Sequence, residues 1–553
     1  MKRMKYILVL ILSGFFFFSC NEDQLLKEVP LDFYSPENSY DTPQGIDVAI
    51  VKMYSDLRTV FVVDKGYYSI QESLQFGTDF GRDARSPGIV GYVNYTTALT
   101  PVSQYAIYWW KAMYQIISES NVILSRIPAL KYPSDETKNA AIAEASFFRG
   151  YAYRFLAHLY GGVPITLEEI SAAKRDFTRA TKADVYKQAI TDLTYASLNL
   201  PDITKVKADG RVSKEAAFHF LAEVYLATKE WDKSISAASQ VINNPNFQLM
   251  TQRFGSLKDS PGDVWYDLFR VGNQNRSKGN KEAIWVSQYE DNTIGGGVGI
   301  KNERNWGPFY WNIKSPDKVN GFIGPTSKNG GLCLGRLRPT FYTGDSIWNS
   351  DFNNDMRNSK YNIVRDFVYD NPNSAYFGKK VSEFPPNPWS TKHFDLYPYL
   401  MKATTPGQHP ATIINPKTGV IFNTPDAGSV CTDQYWARLA ETYLFRAEAY
   451  LGKGDKVNAA ADINMVRVRA NATPVAPAAV TIDYILDERL RELALEEERR
   501  LTLSRLGKCY ERTVKYNEWD GPNMKPYHEL FPIPYSEIER NTGAVLEQNP
   551  GYN

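Results

Sequence analysis

The stretch from Ala143 to Pro164 constrains the fold most, because it specifies both a closely packed helix and the end of that helix. Its large apolar side chains recur at spacings of three and four, as on one face of a helix: Phe148, Tyr151, Phe155 and Leu159. Ala145 and Ala152 keep part of the surface thin enough for a second helix to approach closely. Gly161 can adopt the positive φ that ends a helix, and Pro164 cannot continue one. The sequence therefore predicts a buried helix with others packed against it.

An internal repeat indicates how those helices are arranged. The pentapeptide Ala222–Leu226 corresponds to Ala447–Leu451, 225 residues further on, and each is followed by a short turn and a second helical pattern. Small residues at the crossing and a two-helix unit of about 34 residues resemble tetratricopeptide repeats. Such units bury their faces only by stacking, so the two hairpins are expected to meet in space. This favours a mainly α fold in which tetratricopeptide-like helix pairs form an α-α superhelical scaffold.

The middle of the chain, residues 245–430, lacks regular periodicity and is rich in glycine, proline and asparagine. A loop region of this length is either disordered or functional. Disordered segments are poor in aromatic residues, whereas this region holds six tryptophans: Trp265, Trp285, Trp306, Trp311, Trp348 and Trp389. We therefore expect an ordered, loop-rich lobe packed on the helical scaffold, which is formed mainly by residues 36–244 and 431–553.

The N-terminus predicts export. The basic start Met1–Lys5 precedes the apolar run Tyr6–Phe18, which is shorter than the span of ~20 residues that crosses a membrane. Residues 1–19 therefore read as a secretory signal peptide. Cys20 follows at a position that resembles a bacterial lipobox, which implies acylation of its thiol and a lipidated tether over residues 20–35. A plain signal peptide with an incidental cysteine remains the alternative.

Composition and motifs argue against several other classes of protein. The 63 basic and 62 acidic residues leave a net charge of +1, so no global field favours nucleic acid. Three scattered cysteines, Cys333, Cys431 and Cys509, fit buried core thiols better than a disulfide framework or a zinc knuckle. No HExxH or G-x-S-x-G motif is present. Three glutamates followed by two arginines at 496–500 are typical of a solvated, salt-bridged helix face. The sequence thus predicts no enzyme, metal or cofactor.

Several motifs resemble, in chain order, those of the SusD/RagB family, the surface lipoproteins of Bacteroidetes nutrient-uptake systems. These are W-x3-Y-x2-I-x3-N from Trp110, A-E-x-x-F-x-R-x-Y-x-Y from Ala143, I-L-x-E-R-x-x-E-L from Ile485, and the closing stretch Leu530–Tyr552. The family's usual continuation E-G-x-R-W-x-D-L-x-R lacks its glycine, tryptophan and aspartate at 496–505, so contacts made by those residues elsewhere are not assumed here.

The resemblance implies a SusD-like domain over residues 36–553 and a function in glycan capture. Such a protein is anchored at the outer membrane through its lipid, here the acylated Cys20, faces the cell exterior, and delivers oligosaccharides to a SusC-like TonB-dependent transporter. RagB-like capture of peptides is the main alternative, because it shares the same scaffold motifs. A carbohydrate-active enzyme is a more distant one.

Sugar binding requires aromatic faces for the C–H side of the ring and polar groups for its hydroxyls, and loops supply both. Two loop clusters have this composition: Arg82, Asp83, Tyr92, Asn94 and Tyr95 in the first, and Trp306, Phe309, Tyr310 and Trp311 in the second. For each aromatic residue the alternative is burial in the core of the lobe. A flat aromatic platform would favour sugar as the ligand, whereas a deep cleft would favour peptide.

Overall fold

The computed structural model of the protein describes residues 40–62, 64–65, 68–85, 94–297, 299–386, 394–424, 427–430 and 432–552. The predicted signal peptide, Cys20 and its tether lie outside these residues. Sixteen α-helices lie within them: α1 (Pro43–Val62), α2 (Tyr95–Ala98), α3 (Gln104–Arg126), α4 (Asp135–Tyr160), α5 (Lys182–Asn199), α6 (Lys214–Ala227), α7 (Trp231–Ile242), α8 (Val264–Leu268), α9 (Asn302–Trp306), α10 (Phe341–Gly344), α11 (Leu439–Gly452), α12 (Lys456–Arg469), α13 (Ile482–Leu493), α14 (Arg499–Leu506), α15 (Cys509–Tyr516) and α16 (Tyr535–Arg540).

The strands of the described chain are short and pair two by two, each pair antiparallel. They are β1 (Asp64–Lys65) with β2 (Tyr68–Ser69), β3 (Gly81–Asp83) with β5 (Leu337–Pro339), β4 (Ala283–Ser287) with β8 (Gln434–Arg438), and β6 (Ile363–Val364) with β7 (Tyr399–Leu400). The protein is therefore mainly α, as the sequence predicts.

The predicted central helix is α4, and it is the most deeply buried long helix of the scaffold. Ser134 accepts a hydrogen bond from the N–H of Thr137, and the Thr137 hydroxyl completes a capping box that fixes the first turn. The helix ends at Gly161, whose φ of 79° is accessible to glycine at little cost. The predicted C-terminus is thus confirmed, while the helix begins earlier than the apolar pattern does.

The two alanine-rich hairpins, α6–α7 and α11–α12, pack against each other. His219 Nδ1 lies 2.8 Å from the Thr442 hydroxyl, and Arg446 Nη1 donates to Ser239 Oγ at 3.0 Å. Gly452 lies so close to Trp231 that an added Cβ would be 2.7 Å from its ring. Copies 225 residues apart therefore form one stacked unit, as tetratricopeptide-like packing requires.

A buried ion cluster joins the loop-rich middle of the chain to the last helices. Its members, all largely inaccessible to solvent, are Glu282, Arg357, Arg438, Arg469, Glu488 and Glu492. Arg357 Nη1 lies 2.8 Å from Glu488 and 3.0 Å from Glu492, both on α13. The guanidinium groups lower the pKa of Glu488 to about 2 despite its burial. Because the arginine comes from a loop and the glutamates come from a scaffold helix, this cluster fixes the lobe on the helices.

Two details of the C-terminal region differ from the sequence-based expectation. The helix predicted over Ile482–Leu506 is interrupted after Leu493, and Leu495 adopts a φ of 68°, which non-glycine residues rarely do. The glutamates at 496–498 are salt-bridged as predicted but not solvated, since their side chains are 12%, 4% and 17% exposed. The chain turn after α13 rotates them inward, where they meet Arg438, Arg489 and Arg154.

Cys333 and Cys509 are buried free thiols, as predicted, and Cys431 lies outside the described residues.

Candidate functional site

The described residues of the first predicted cluster lie on β3 and at the start of α2, and most of their side chains face protein. Arg82 is buried, with its guanidinium 3.9 Å above the Trp519 ring and its Nε 2.9 Å from Glu518. Tyr95 is fully buried and accepts a hydrogen bond from Arg500 Nη1 at 3.2 Å. Asn94 is exposed at the start of α2, and Tyr92 lies outside the described residues. The Arg82 and Tyr95 side chains thus contact the C-terminal part of the scaffold.

The second predicted cluster divides between the core and the surface. Trp306 is 1% exposed and packs on Phe80, with ring centroids 4.8 Å apart. Tyr310 is fully buried, stacks on Phe367 at 4.9 Å, and receives a hydrogen bond from the N–H of Thr326 at 3.1 Å. Trp311 is only half-buried. Among the tryptophan and tyrosine side chains predicted to bind sugar, Trp311 is therefore the one whose described surroundings leave part of its ring accessible.

Trp311 belongs to a group of half-buried side chains that we call the aromatic shelf: Arg85, Phe309, Trp311 and Phe394. The Phe309 ring meets Trp311 edge to face at 4.4 Å and lies nearly parallel to Phe394 at 6.2 Å. The Arg85 guanidinium sits over both phenylalanine rings, at 5.3 and 5.0 Å. The shelf therefore combines partly accessible ring surface with a fixed positive charge, which suits an apolar sugar face rimmed by hydroxyls.

Hydrogen bonds from three loops hold the shelf rigid. Trp311 Nε1 donates to the carbonyl of Cys333 at 2.9 Å, and the N–H of Phe309 donates to the carbonyl of Phe394 at 2.9 Å. The Asp83 carboxylate accepts from the N–H of Arg85 at 2.8 Å and so sets the position of that residue. Gly335 lies between these loops, where a Cβ would be 2.3 Å from the carbonyl oxygen of Phe394. A preorganised shelf loses little conformational entropy when a ligand binds.

The structure thus brings the two predicted clusters together, although through residues that the composition argument did not select as ligands. Gly81 on β3 touches Trp306, since a Cβ there would be 2.4 Å from the Trp306 ring. Asp83 reaches the shelf through Arg85. Arg85 and Phe394 were missed because both are distant in sequence from Phe309, and only the fold brings them together. That the predicted residues act in ligand binding stays a prediction. The buried ones would act indirectly, by holding the residues that contact the ligand.

A polar cleft of about 670 Å³ is lined mainly by loops of the middle of the chain, together with Arg58 and Asp433. Pro410 lines the cleft, whereas Ile413 and Ile414 pack, as Trp311 does, against the buried residues Leu332, Ile421 and Ala427. Amides form its wall: Gln288 Nε2 donates to Asn275 Oδ1 at 2.8 Å. Burial raises the pKa of Asp433, which accepts from Asn275 and from the N–H of Tyr289. Such a chain of oriented amides and carboxylates can bind hydroxyl groups or peptide groups.

Neither a metal site nor a membrane span is found in the described part of the chain. Within it, no group of three or more histidine, cysteine, aspartate or glutamate side chains has an arrangement able to hold a metal ion. Its helices also lack the combination of length and hydropathy needed to cross a bilayer.

Comparisons with family models and curated proteins find related sequences over most of the chain. A model described as starch-binding and associating with the outer membrane matches residues 61–226, and a SusD family model matches residues 281–552. A SusD-like protein of Formosa agariphila is 26% identical over the full length of both chains. A SusD-like protein of Bacteroides ovatus is 24% identical, over 89% of this chain and 81% of its own length.

Solved structures share the fold. A laminarin-binding SusD-like protein superposes with a TM-score of 0.68 and 22% identity, over 93% of this chain and 100% of its own. A SusD homolog from Bacteroides thetaiotaomicron gives a TM-score of 0.69 and 19% identity, over 94% of this chain and 98% of its own. At these identities the similarity establishes the architecture, and the residues that contact a ligand must be argued from this chain alone.

Proposed function

Because this chain belongs to the SusD/RagB family, we propose that it captures oligosaccharides at the cell surface and delivers them to a SusC-like TonB-dependent transporter. Family proteins of this kind bind ligands and are associated with the outer membrane. In the proposal, acylated Cys20 anchors the chain, the segment up to residue 35 is a tether, and residues 36–553 form the binding domain that faces the exterior.

The observation that carries the proposal is the aromatic shelf. Trp311 keeps part of its ring accessible, although Phe309 and the Cys333 carbonyl hold it in one orientation. A glucan has alternating apolar C–H faces and hydroxyl edges, so one sugar would stack on Trp311 while Arg85 and the exposed Asn312 face its hydroxyls. A structural neighbour that binds laminarin supports a β-glucan as the first ligand to test.

The test is binding of purified protein, without its lipid, to a glycan array and a matched peptide panel, followed by calorimetry on the best ligand. Replacing Trp311 by Ala should weaken glycan binding about 10-fold or more, because the ring supplies stacking and buried apolar area. Tyr535→Ala removes an exposed ring from α16, outside the shelf, and should change nothing. Equal glycan affinity of the Trp311→Ala protein and the wild type would reject the shelf as the binding site.

Peptide capture is the second candidate, and the polar cleft is the observation that favours it. The cleft has a volume of about 670 Å³, and its amides could pair with peptide groups. Retention of peptides without any glycan on the two arrays would support this candidate. In that case Gln288→Ala should weaken binding, while Trp311→Ala should leave it unchanged.

A further inference from the structure

Three residues distant in sequence form a hydrogen-bonded chain at the edge of the polar cleft. Ser327 Oγ lies 2.7 Å from His409 Nδ1, and His409 Nε2 lies 2.5 Å from Glu303 Oε2. His409 lines the cleft, Ser327 is half-buried, and Glu303 is fully buried. A hydroxyl, an imidazole and a carboxylate in this order are the components of a nucleophile that is activated by a base.

The carboxylate is fixed by two further donors. The N–H of Leu332 donates to Glu303 Oε1 at 2.7 Å, and the Thr404 hydroxyl donates to Oε2 at 2.8 Å. Gly331 makes room for it, because a Cβ there would be 1.9 Å from Glu303 Oε1. Its backbone φ of 89° also favours glycine. The loop of Ser327 is therefore shaped around the carboxylate that orients the histidine.

These contacts fit one tautomer of His409. Nε2 faces the Glu303 carboxylate, whose oxygens accept hydrogen bonds, so we assign the imidazole proton to Nε2. Nδ1 is then the basic nitrogen, and its lone pair faces the Ser327 hydroxyl. The histidine is thus oriented to remove the serine proton, and the ring nitrogens exchange the places they occupy in the serine proteases.

We propose that Ser327, His409 and Glu303 form an acyl-transfer site that removes small acyl groups from esters of a captured carbohydrate. The choice of a carbohydrate ester rests on the proposed glycan function, since the cleft beside His409 is polar and rich in amides. The acyl-transfer chemistry itself rests only on the three side chains. A search for G-x-S-x-G could not find this site, because Pro325 and Asn329 stand where that motif has its two glycines.

The reaction balances with water as the second substrate. Ser327 Oγ adds to the ester carbonyl carbon while its proton moves to His409 Nδ1. The bond from that carbon to the sugar oxygen then breaks, and the sugar oxygen takes the proton from Nδ1, which leaves an acyl-serine. Water adds to the acyl-serine, again giving a proton to Nδ1, and the bond to Ser327 Oγ breaks to release the carboxylic acid and restore the hydroxyl.

The test uses the folded binding protein with two probes that need no glycan. A fluorophosphonate should add once per chain, and peptide mapping should place the adduct on Ser327. Hydrolysis of p-nitrophenyl acetate should fall about 10²-fold or more in Ser327→Ala. Ser429→Ala, which changes a serine that lines the cleft, should retain wild-type hydrolysis and labelling.

Labelling that misses Ser327, or equal ester hydrolysis by wild type and Ser327→Ala, would overturn the proposal. His409→Gln keeps a polar side chain and should lose labelling as well; should it fail to fold, the serine variant and the adduct map still decide the question. Glycan affinity of the same samples separates the two proposals. Lost labelling with intact glycan binding rejects only the acyl-transfer site. Intact labelling without glycan binding rejects the proposed function and the choice of a carbohydrate ester, but not the acyl-transfer site.

Discussion

Trp306 and Trp311 stand on one short segment but meet different surroundings. Trp306 is 1% exposed, whereas Trp311 is half-buried. We expect Trp306→Ala to lower the free energy of unfolding by about 3–5 kcal/mol, because it opens a cavity beside Phe80. Glycan affinity of the folded protein should stay within about 3-fold of wild type. Denaturant unfolding measures the stability and calorimetry measures the affinity. Lost affinity with unchanged stability would instead indicate that Trp306 contacts the ligand.

Asp520 gives a prediction about pH. It is 1% exposed, its Oδ2 accepts from Asn517 Nδ2 at 3.0 Å, and its Oδ1 has no hydrogen-bond partner among the described residues. Desolvation raises its pKa from 3.8 to about 7. The folded protein therefore holds a proton that the unfolded chain releases above pH 3.8, so this group's contribution to stability is full at low pH and falls as pH rises towards 7.

Asp520→Asn should remove this dependence. At pH 8 the variant should be more stable than the wild type by roughly 1–4 kcal/mol, and near pH 4 the two should be similar. Thermal unfolding at several values of pH measures the difference. A gap that does not widen as pH rises from 4 to 8 would contradict the raised pKa.

At this scale the sequence indicates which residue types gather, but not which of them face solvent. Tyr310 and Trp311 are neighbours in one aromatic loop, yet Tyr310 is buried on Phe367 and Trp311 is only half-buried. That difference depends on where a segment more than 50 residues away returns to the loop. Periodicity, which reports burial within helices, carries no such information in irregular chain.

At the scale of elements, the contact between the two hairpins rests on a glycine. Gly452 ends α11 against the Trp231 ring at the start of α7. Gly452→Ala should destabilise the protein by about 1–3 kcal/mol, because the added methyl group would overlap the ring. In a Trp231→Ala background the same change should be neutral or stabilising, since alanine has the higher helix propensity. A double-mutant cycle measures this coupling, and additive effects would show that the hairpins do not meet there.

Helices were the most predictable elements, because their apolar spacing is local. The α4 stop at Gly161 and the Thr481 cap of α13, which accepts from the N–H of Tyr484 at 3.1 Å, follow from residue chemistry alone. The interruption after Leu493 could not be predicted in this way, because Leu495 adopts a positive φ at a position where no glycine indicates it. There the inward pull of Arg438 and Arg489 on Glu496 and Glu497 outweighs helix propensity.

At the scale of the whole molecule, fold class and family followed from motifs in chain order, whereas the docking of the lobe could not be foreseen. The ion cluster that holds it links residues 131 and 135 positions apart. A sequence shows such charges only as polar residues, and polar residues are usually assigned to the surface. Their pairing depends on the tertiary fold that buries them.

We therefore expect that replacing Arg357 will loosen the attachment of the lobe to the helices. Its removal leaves Glu488, Glu492 and Asp355 buried with less positive charge beside them. Breaking a buried ion pair in this way typically lowers the free energy of unfolding by about 3–5 kcal/mol. Arg357→Met keeps the length of the side chain and should make lobe loops sensitive to protease before the helices unfold. Arg540→Met removes an exposed arginine and should leave proteolysis unchanged. Limited proteolysis with peptide mapping decides, because equal cleavage of the two variants would mean that contacts other than this cluster hold the lobe.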